Sequence, residues 1–112
     1  MGLSEYLFGK VSENDACKFL KKEGCEILER NFSCKFGEID IVAKKDEILH
    51  FIEVKATKGD YEAAYRLTLC KMQKILKTVD YYLLKNGFNN DFQIDLITIE
   101  GAEVSWIKNI SL

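Results

Sequence analysis

The sequence has no proline among its 112 residues, a single histidine and four cysteines. Without proline, a low-complexity segment or an internal repeat, no linker is visible, so we predict one domain over residues 1–112. The cysteines form no C-x-x-C pair, which excludes the usual spacing of a structural zinc site and gives no sign of a disulfide framework. We expect buried or idle thiols in a cytoplasmic protein.

Long apolar runs and a targeting signal are also missing. No run of apolar residues approaches the length needed to span a bilayer. The first residues, Met1 to Tyr6, lack the basic and apolar regions of a secretory signal. We therefore expect a cytoplasmic protein with no membrane partner.

Positive charge is not in excess, because the formal net charge is −2. This total argues against a nucleic-acid partner, but residues 54–77 carry six basic and two acidic side chains. A local basic block of this kind matters more for phosphate binding than the total charge does. The alternative is that these basic residues form the solvated side of a helix. The predicted contacts to nucleic acid are Lys58, Arg66, Lys71 and Lys74.

Hydrophobic periodicity predicts the element order α-β-β-β-α-β-β, an α/β fold with a mixed sheet flanked by helices. Ser12 and Asp15 resemble a capping box for the first helix, which stops near Gly24. Apolar residues at helical spacing from Leu69 to Leu83 predict the second helix, with Asn86-Gly87 as its end signal. The predicted strands cover residues 25–31, 36–43, 47–55, 92–99 and 104–110.

The second and third predicted strands form a β-hairpin that carries Asp40, Glu53 and Lys55. If the loop is residues 46–47, Asp40 lies directly opposite Glu53. If the loop is residues 45–46, the two are diagonal neighbours. Either way their Cβ atoms come within roughly 4.5 to 8 Å of each other. Side chains alternate along a strand, so Lys55 shares a face with Glu53.

Two neighbouring carboxylates in a half-buried sheet repel each other unless one is protonated or a cation lies between them. Mg²⁺ suits this position because it takes one or two carboxylates and keeps room for water and phosphate oxygens. Such a metal lowers the pKa of a bound water, and Lys55 could hold that water or a phosphate oxygen. The alternative is a solvated charged face, against which stand the apolar residues Leu49 and Phe51 on the same face.

Several sequence blocks together are similar to a known family. They resemble the small bacterial YraN-like family of the PD-(D/E)xK superfamily, the restriction-endonuclease-like fold that includes Holliday junction resolvases. The resemblance covers nearly the whole chain. The residues that carry it are Gly9, Glu13, Ala16, Arg30-Asn31, Gly37-Glu38-Ile39-Asp40, Phe51-Ile52-Glu53-Val54-Lys55, Lys71 and Ile94-Asp95.

The resemblance implies a metal-dependent nuclease that uses Mg²⁺ or Mn²⁺. Asp40, Glu53 and the backbone carbonyl of Val54 are then metal ligands, and Lys55 is the catalytic base or an electrostatic stabiliser. Glu13 matches a first-helix glutamate that reaches the metal in related nucleases. The alternative for Glu13 is favourable interaction with the helix dipole in the first turn.

Two positions depart from the family pattern. Thr57 and Gln93 stand where basic residues are common, and both losses weaken phosphate contacts more than metal binding. His50 is expected on the face opposite Glu53, packed under a helix. Asp95 is either structural or an outer metal ligand.

Two functions from different classes remain. The first is a nuclease that acts on DNA, with branched DNA implied by the resolvase resemblance. A homodimer is then the expected working unit, because symmetric cleavage of a junction needs two sites. The second is a catalytically inactive nucleic-acid- or protein-binding module on the same fold, which the acidic total charge and the departures at residues 57 and 93 favour.

Overall fold

The structure, a computed structural model, describes residues 3–110, with side chains from residue 12 onwards. The elements are α1 (Leu3–Lys22), β1 (Glu26–Cys34), β2 (Gly37–Lys45), β3 (Ile48–Ala56), α2 (Tyr61–Cys70), α3 (Met72–Asn86), β4 (Phe92–Glu100) and β5 (Glu103–Ile107). None of the described helices combines the length and the apolar character needed to cross a membrane.

The five strands form one mixed sheet in the order β1-β2-β3-β4-β5. Strands β3 and β4 are parallel, and every other neighbouring pair is antiparallel. A parallel pair needs a crossover connection, which α2 and α3 supply together. The predicted α/β fold with a mixed sheet flanked by helices is confirmed.

Each side of the sheet has its own apolar core, one beneath α3 and the other beneath α1. The α3-side core comprises Phe32, Ile39, Val42, Leu49, Phe51, Ile75, Val79, Tyr82, Ile94, Leu96 and Ile110. The α1-side core comprises Ala16, Cys17, Leu20, Cys25, Ile41, Ala43, Ile52, Ile97 and Ile99. Burying one such leucine or isoleucine contributes about 1.5–3 kcal/mol, so the two cores hold the helices against the sheet.

The start of the first helix was predicted wrongly. Helix α1 begins at Leu3, so Ser12 and Asp15 lie inside it and cannot form a capping box. Ser12 lies in the middle of the helix, and its side chain is buried in the protein. Polar residues at capping-box spacing therefore gave a false start signal, because the helix continues on their N-terminal side.

The second predicted helix, from Leu69 to Leu83, corresponds to α3 except for Leu69, which lies in the last turn of α2. Helix α2 itself was not predicted. Asp60 caps α2, and its Oδ1 accepts a hydrogen bond from the Ala63 backbone N–H at 3.3 Å. Lys71 separates α2 from α3. The predicted end of the helix is confirmed, since Gly87 ends α3 in the left-handed conformation with φ 70°.

Candidate active site

The turn between β2 and β3 fixes the register of the predicted site. Lys45 pairs with Ile48, and the two turn residues have positive φ angles, 52° at Asp46 and 65° at Glu47. Two positive φ angles are the geometry of a type I′ turn, which suits the twist of a hairpin. The loop is therefore residues 46–47, the first of the two alternatives left open by the sequence.

Asp40 lies where the β2–β3 ladder ends. The pair farthest from the turn is Ile41 with Ile52. Continuing the register by one residue brings Asp40 opposite Glu53. Oδ2 of Asp40 accepts a hydrogen bond from the Val54 backbone N–H at 2.8 Å. The Asp40 side chain thus takes the Val54 N–H, which would otherwise be free for the next backbone bond between the two strands.

The pKa of Asp40 is strongly shifted. Burial and the neighbouring charge of Glu53 raise it to about 6, although the Val54 N–H and Lys55 act in the opposite direction. The charged form of Asp40 is therefore disfavoured, as expected for a buried carboxylate that faces a second one.

Lys55 lies beside Glu53, and the predicted common face is confirmed. Its Nζ is 3.2 Å from Oε1 of Glu53. The Lys55 side chain is 30% exposed, so solvent screens this pair and its contribution to stability is small. The lysine is held at the site while its ammonium can still reach a ligand.

A cavity of about 210 Å³ opens in front of the two carboxylates. The side chains facing it differ in charge from one wall to the other, since the hairpin supplies acids and the beginning of α3 supplies lysines. The cavity is lined by Gly37, Glu38, Asp40, Glu53, Lys71, Lys74 and Ile75. Such a cavity can bind a cation on one wall and an anionic group on the other.

Gly37 allows α3 to approach β2 closely enough to form this cavity. A Cβ atom at this position would lie 3.1 Å from Oγ1 of Thr78 and 3.8 Å from Cβ of Lys74. The first distance is tighter than ordinary van der Waals contact, so a side chain here would require Thr78 on α3 to shift by a few tenths of an ångström. Gly37 and Glu38 had no predicted role, and the glycine directly before Glu38-Ile39-Asp40 was the available signal.

Comparison with known proteins identifies the family of this chain. The family described as "Uncharacterised protein family UPF0102" matches residues 12–99. The chain belongs to the UPF0102 family. It is 62% identical to a UPF0102 protein of Campylobacter hominis over 112 residues, which cover 100% of each chain. A UPF0102 protein of Campylobacter jejuni is 61% identical over 111 residues, 99% of each chain.

Glu13 of this UPF0102 protein lies within electrostatic range of Asp40 but is held by other side chains. Its Oε1 accepts bonds from Arg30 Nε at 3.2 Å, Arg30 Nη2 at 3.1 Å and Asn31 Nδ2 at 2.9 Å. Since α1 begins at Leu3, Glu13 is not in the first turn, and the helix-dipole explanation for it is wrong. Among the described side chains, no group of three His, Cys, Asp or Glu residues is arranged to hold a metal.

The four predicted nucleic-acid contacts are divided between different surfaces. Lys71 and Lys74 line the cavity with Asp40 and Glu53. Arg66 instead lines a groove of about 310 Å³ with Tyr61, Glu62 and Tyr65, and Lys58 is exposed on the loop before α2. Sequence proximity in the basic block therefore did not distinguish the two lysines at the cavity from the others.

His50 and Asp95 lie away from the cavity, on the α1 side of the sheet. His50 is buried, and its Nδ1 donates to Oδ2 of Asp95 at 2.7 Å. The predicted position of His50 on the face opposite Glu53 is confirmed. Asp95 also accepts bonds from Trp106 Nε1, Gln93 Nε2 and the Asn109 backbone N–H. We call this set the Asp95 network; it supports the structural interpretation of Asp95 over the outer-ligand one.

Proposed function

We propose that the cavity is the active site of a nuclease that hydrolyses phosphodiester bonds in DNA and depends on Mg²⁺ or Mn²⁺. One observation carries the proposal. Two facing carboxylates, one with its pKa raised to about 6, share a cavity with Lys71 and Lys74. A cation between the two carboxylates would relieve their repulsion, and the lysines complement the negative charge of a phosphate backbone.

The residues present fit a magnesium-type ion. Asp40 and Glu53 provide hard oxygen donors, the type that Mg²⁺ and Mn²⁺ prefer. The Val54 N–H points to Asp40, and the N–H and C=O of one strand residue point to the same neighbouring strand. Val54 can therefore offer its carbonyl oxygen to the same place. Asp40, Glu53 and Val54 would hold the divalent ion, which would supply Lewis acidity and lower the pKa of a bound water.

The chain's own cations have separate roles in this proposal. Lys55 is next to Glu53, so its ammonium can orient the attacking water or stabilise negative charge that develops at the phosphorus. Lys71 and Lys74 face the acids across the cavity and hold the phosphate backbone of the substrate. The site order, with Asp on β2 and Glu-x-Lys on β3, supports membership of the PD-(D/E)xK superfamily.

A homodimer acting on branched DNA is the more detailed version of the proposal. The cavity provides one set of facing carboxylates, and symmetric cleavage of two strands needs two such sets. Light scattering at micromolar concentration tests it, because a monomer with and without DNA would remove the symmetric version.

A catalytically inactive nucleic-acid- or protein-binding module is the second candidate. It is favoured by the formal net charge of −2 and by Thr57 and Gln93, which stand where basic residues are common in the family that the sequence resembles. The two candidates differ in whether the cavity binds a divalent ion and cuts.

The deciding experiment incubates the protein with four-way junction, flap, single-stranded and linear duplex DNA in Mg²⁺ or Mn²⁺. Cleavage above the level of an Asp40→Asn control supports the nuclease. No cleavage above that control favours the inactive module. Thermal melts provide a second measure, because metal that binds only the folded site raises the Tm. A rise that persists in the Asp40→Asn plus Glu53→Gln variant would place the metal elsewhere.

A further inference from the structure

Strand β2 changes sides at Asp40. Side chains two residues apart on a strand normally share a face. Ile41 lies in the α1-side core, but Ile39 lies in the α3-side core. Beyond Asp40 the normal alternation resumes, with Val42 in the α3-side core and Ala43 in the α1-side core. The irregularity is therefore local to the residue that carries the carboxylate.

Strand β1 changes sides at the same level. Phe32 pairs with Ile39, and Arg30 pairs with Ile41, so Asn31 is the residue opposite Asp40. Phe32 packs in the α3-side core, whereas Arg30 reaches Glu13 on α1. Asn31 has φ 55°, a left-handed conformation that asparagine tolerates better than most residues. The two strands thus share one paired irregularity at Asn31 and Asp40.

Glu13 anchors this irregularity from α1. The Asn31 side chain donates to its Oε1 at 2.9 Å, and both Arg30 bonds end on the same oxygen. Glu13 is 7% exposed, so its carboxylate is fixed by these donors more than by water. Its charge also contributes to the raised pKa of Asp40, which places it within electrostatic range of that residue.

We propose that Glu13 is a positioning residue: through Asn31 and Arg30 it holds the paired irregularity that aims the Asp40 carboxylate at the Val54 N–H, and it is not a metal ligand. The proposal rests on the proposed function of the cavity. It departs from what the family resemblance implies for this glutamate. Two facts support it: Oε1 of Glu13 accepts three hydrogen bonds from Asn31 and Arg30, and the Arg30 guanidinium offsets the negative charge of Glu13.

The two roles differ in what glutamine can replace. In Glu13→Gln the amide oxygen still accepts from Asn31 and Arg30, but the negative charge that a metal ligand supplies is gone. In Glu13→Ala both are lost. A positioning role predicts that the glutamine variant is close to wild type and the alanine variant is not. A ligand role predicts that both variants fail.

The first measurement is the Mn²⁺ affinity by titration calorimetry, with Asp15→Asn as a control for loss of one charge on the same helix. We expect Glu13→Gln to bind Mn²⁺ within about threefold of wild type. Glu13→Ala should weaken binding by about 10-fold or more, the usual effect of losing a residue that orients a ligand. An affinity in Glu13→Gln as low as in Asp40→Asn would overturn the proposal.

The second measurement needs neither metal nor DNA. Amide hydrogen exchange of Val54 by NMR reports the bond to Asp40 directly. We expect faster exchange in Glu13→Ala, wild-type exchange in Glu13→Gln, and unchanged exchange at Leu96 in β4 as a test that the fold is intact. Unchanged Val54 exchange in Glu13→Ala would overturn the positioning role.

The two measurements separate the two proposals. A wild-type protein that binds no Mn²⁺ would overturn the proposed function while the Val54 amide still decides whether Glu13 positions Asp40. Asn31→Gly offers a further variant, since glycine keeps the left-handed conformation but removes the bond to Glu13. It should resemble Glu13→Ala at Val54, and wild-type exchange in this variant would contradict the proposed path.

Discussion

Asp40 and Asp95 are carboxylates on opposite sides of one sheet, and their surroundings shift their pKa values in opposite directions. Burial would raise the pKa of Asp95, but hydrogen bonds from His50, the Asn109 N–H, Gln93 and Trp106 outweigh it and lower the value. For Asp40, burial and the charge of Glu53 prevail and raise the pKa to about 6.

The difference lies in the number of donors. Asp95 is fully buried and accepts four hydrogen bonds, so its charge is stabilised within the protein. The described residues give Asp40 one hydrogen bond, from Val54, and an acid faces it. A buried carboxylate with enough donors is part of the structure, whereas one without them is suited to bind a cation.

The largest effect is expected from removing Asp95. Asp95→Ala leaves the buried donor of His50 and the half-buried donor of Trp106 without their acceptor. At about 1–3 kcal/mol for each unsatisfied donor, the free energy of unfolding should fall by about 2–5 kcal/mol. Urea denaturation measures this, with the exposed Asp91→Ala as a control. A loss below about 1 kcal/mol would mean that the Asp95 network contributes little to the stability of the fold.

Asp40→Asn should raise the free energy of unfolding, whereas Asp95→Ala lowers it. At pH 7 the ionised Asp40 destabilises the folded state, and a pKa of about 6 against an ordinary value of 3.8 corresponds to at most about 3 kcal/mol. Asparagine removes that charge, so the apo protein should become more stable by up to this amount. Equal or lower stability of the variant in urea would break the contrast with Asp95.

The two carboxylates should also give opposite pH dependences. The folded pKa of Asp40 is raised, so its stabilising contribution is present below about pH 4 and is lost as the pH rises through about 6. The folded pKa of Asp95 is lowered, so its contribution is present above the unfolded pKa and is lost on acidification. As the pH rises from 4 to 6, the ionisation of Asp40 should lower the free energy of unfolding of the wild type. Asp40→Asn lacks this contribution, so its free energy of unfolding should fall less steeply over the same range.

Lys55→Ala should lower the rate of DNA cleavage by a factor of roughly 10². If the cavity cleaves DNA, Lys55→Ala removes one preorganised cation from the place where charge develops at the phosphorus, which costs about that factor in turnover. Binding of uncleaved DNA should change little, because one phosphate contact among several is lost. Single-turnover assays separate the two quantities, and cleavage that survives at the wild-type rate would remove this role from Lys55.

The sequence predicted the sheet, the hairpin and the common face of Glu53 and Lys55, because alternation and turn residues are local signals. It could not predict the change of side at Asp40. That feature depends on the left-handed conformation of Asn31 and on a bond from Glu13, a residue 18 positions away in the chain. The sequence also could not predict that Lys71 and Lys74 line one cavity with the two acids, because this depends on how closely α3 approaches Gly37.

The smallest effect, and the one that best tests the basic wall, is expected from Lys71→Glu plus Lys74→Glu. Each phosphate contact contributes about one unit to the slope of log affinity against log salt concentration. If both lysines contact phosphates, the slope should become shallower by about two. Lys77→Glu plus Lys85→Glu is the matched control, because it makes the same change in charge at two α3 positions outside the cavity lining. Fluorescence anisotropy with a fixed duplex at several salt concentrations measures both slopes. Equal slopes for the two double variants would mean that DNA senses the overall charge of α3, and the cavity would lose its role as the binding site.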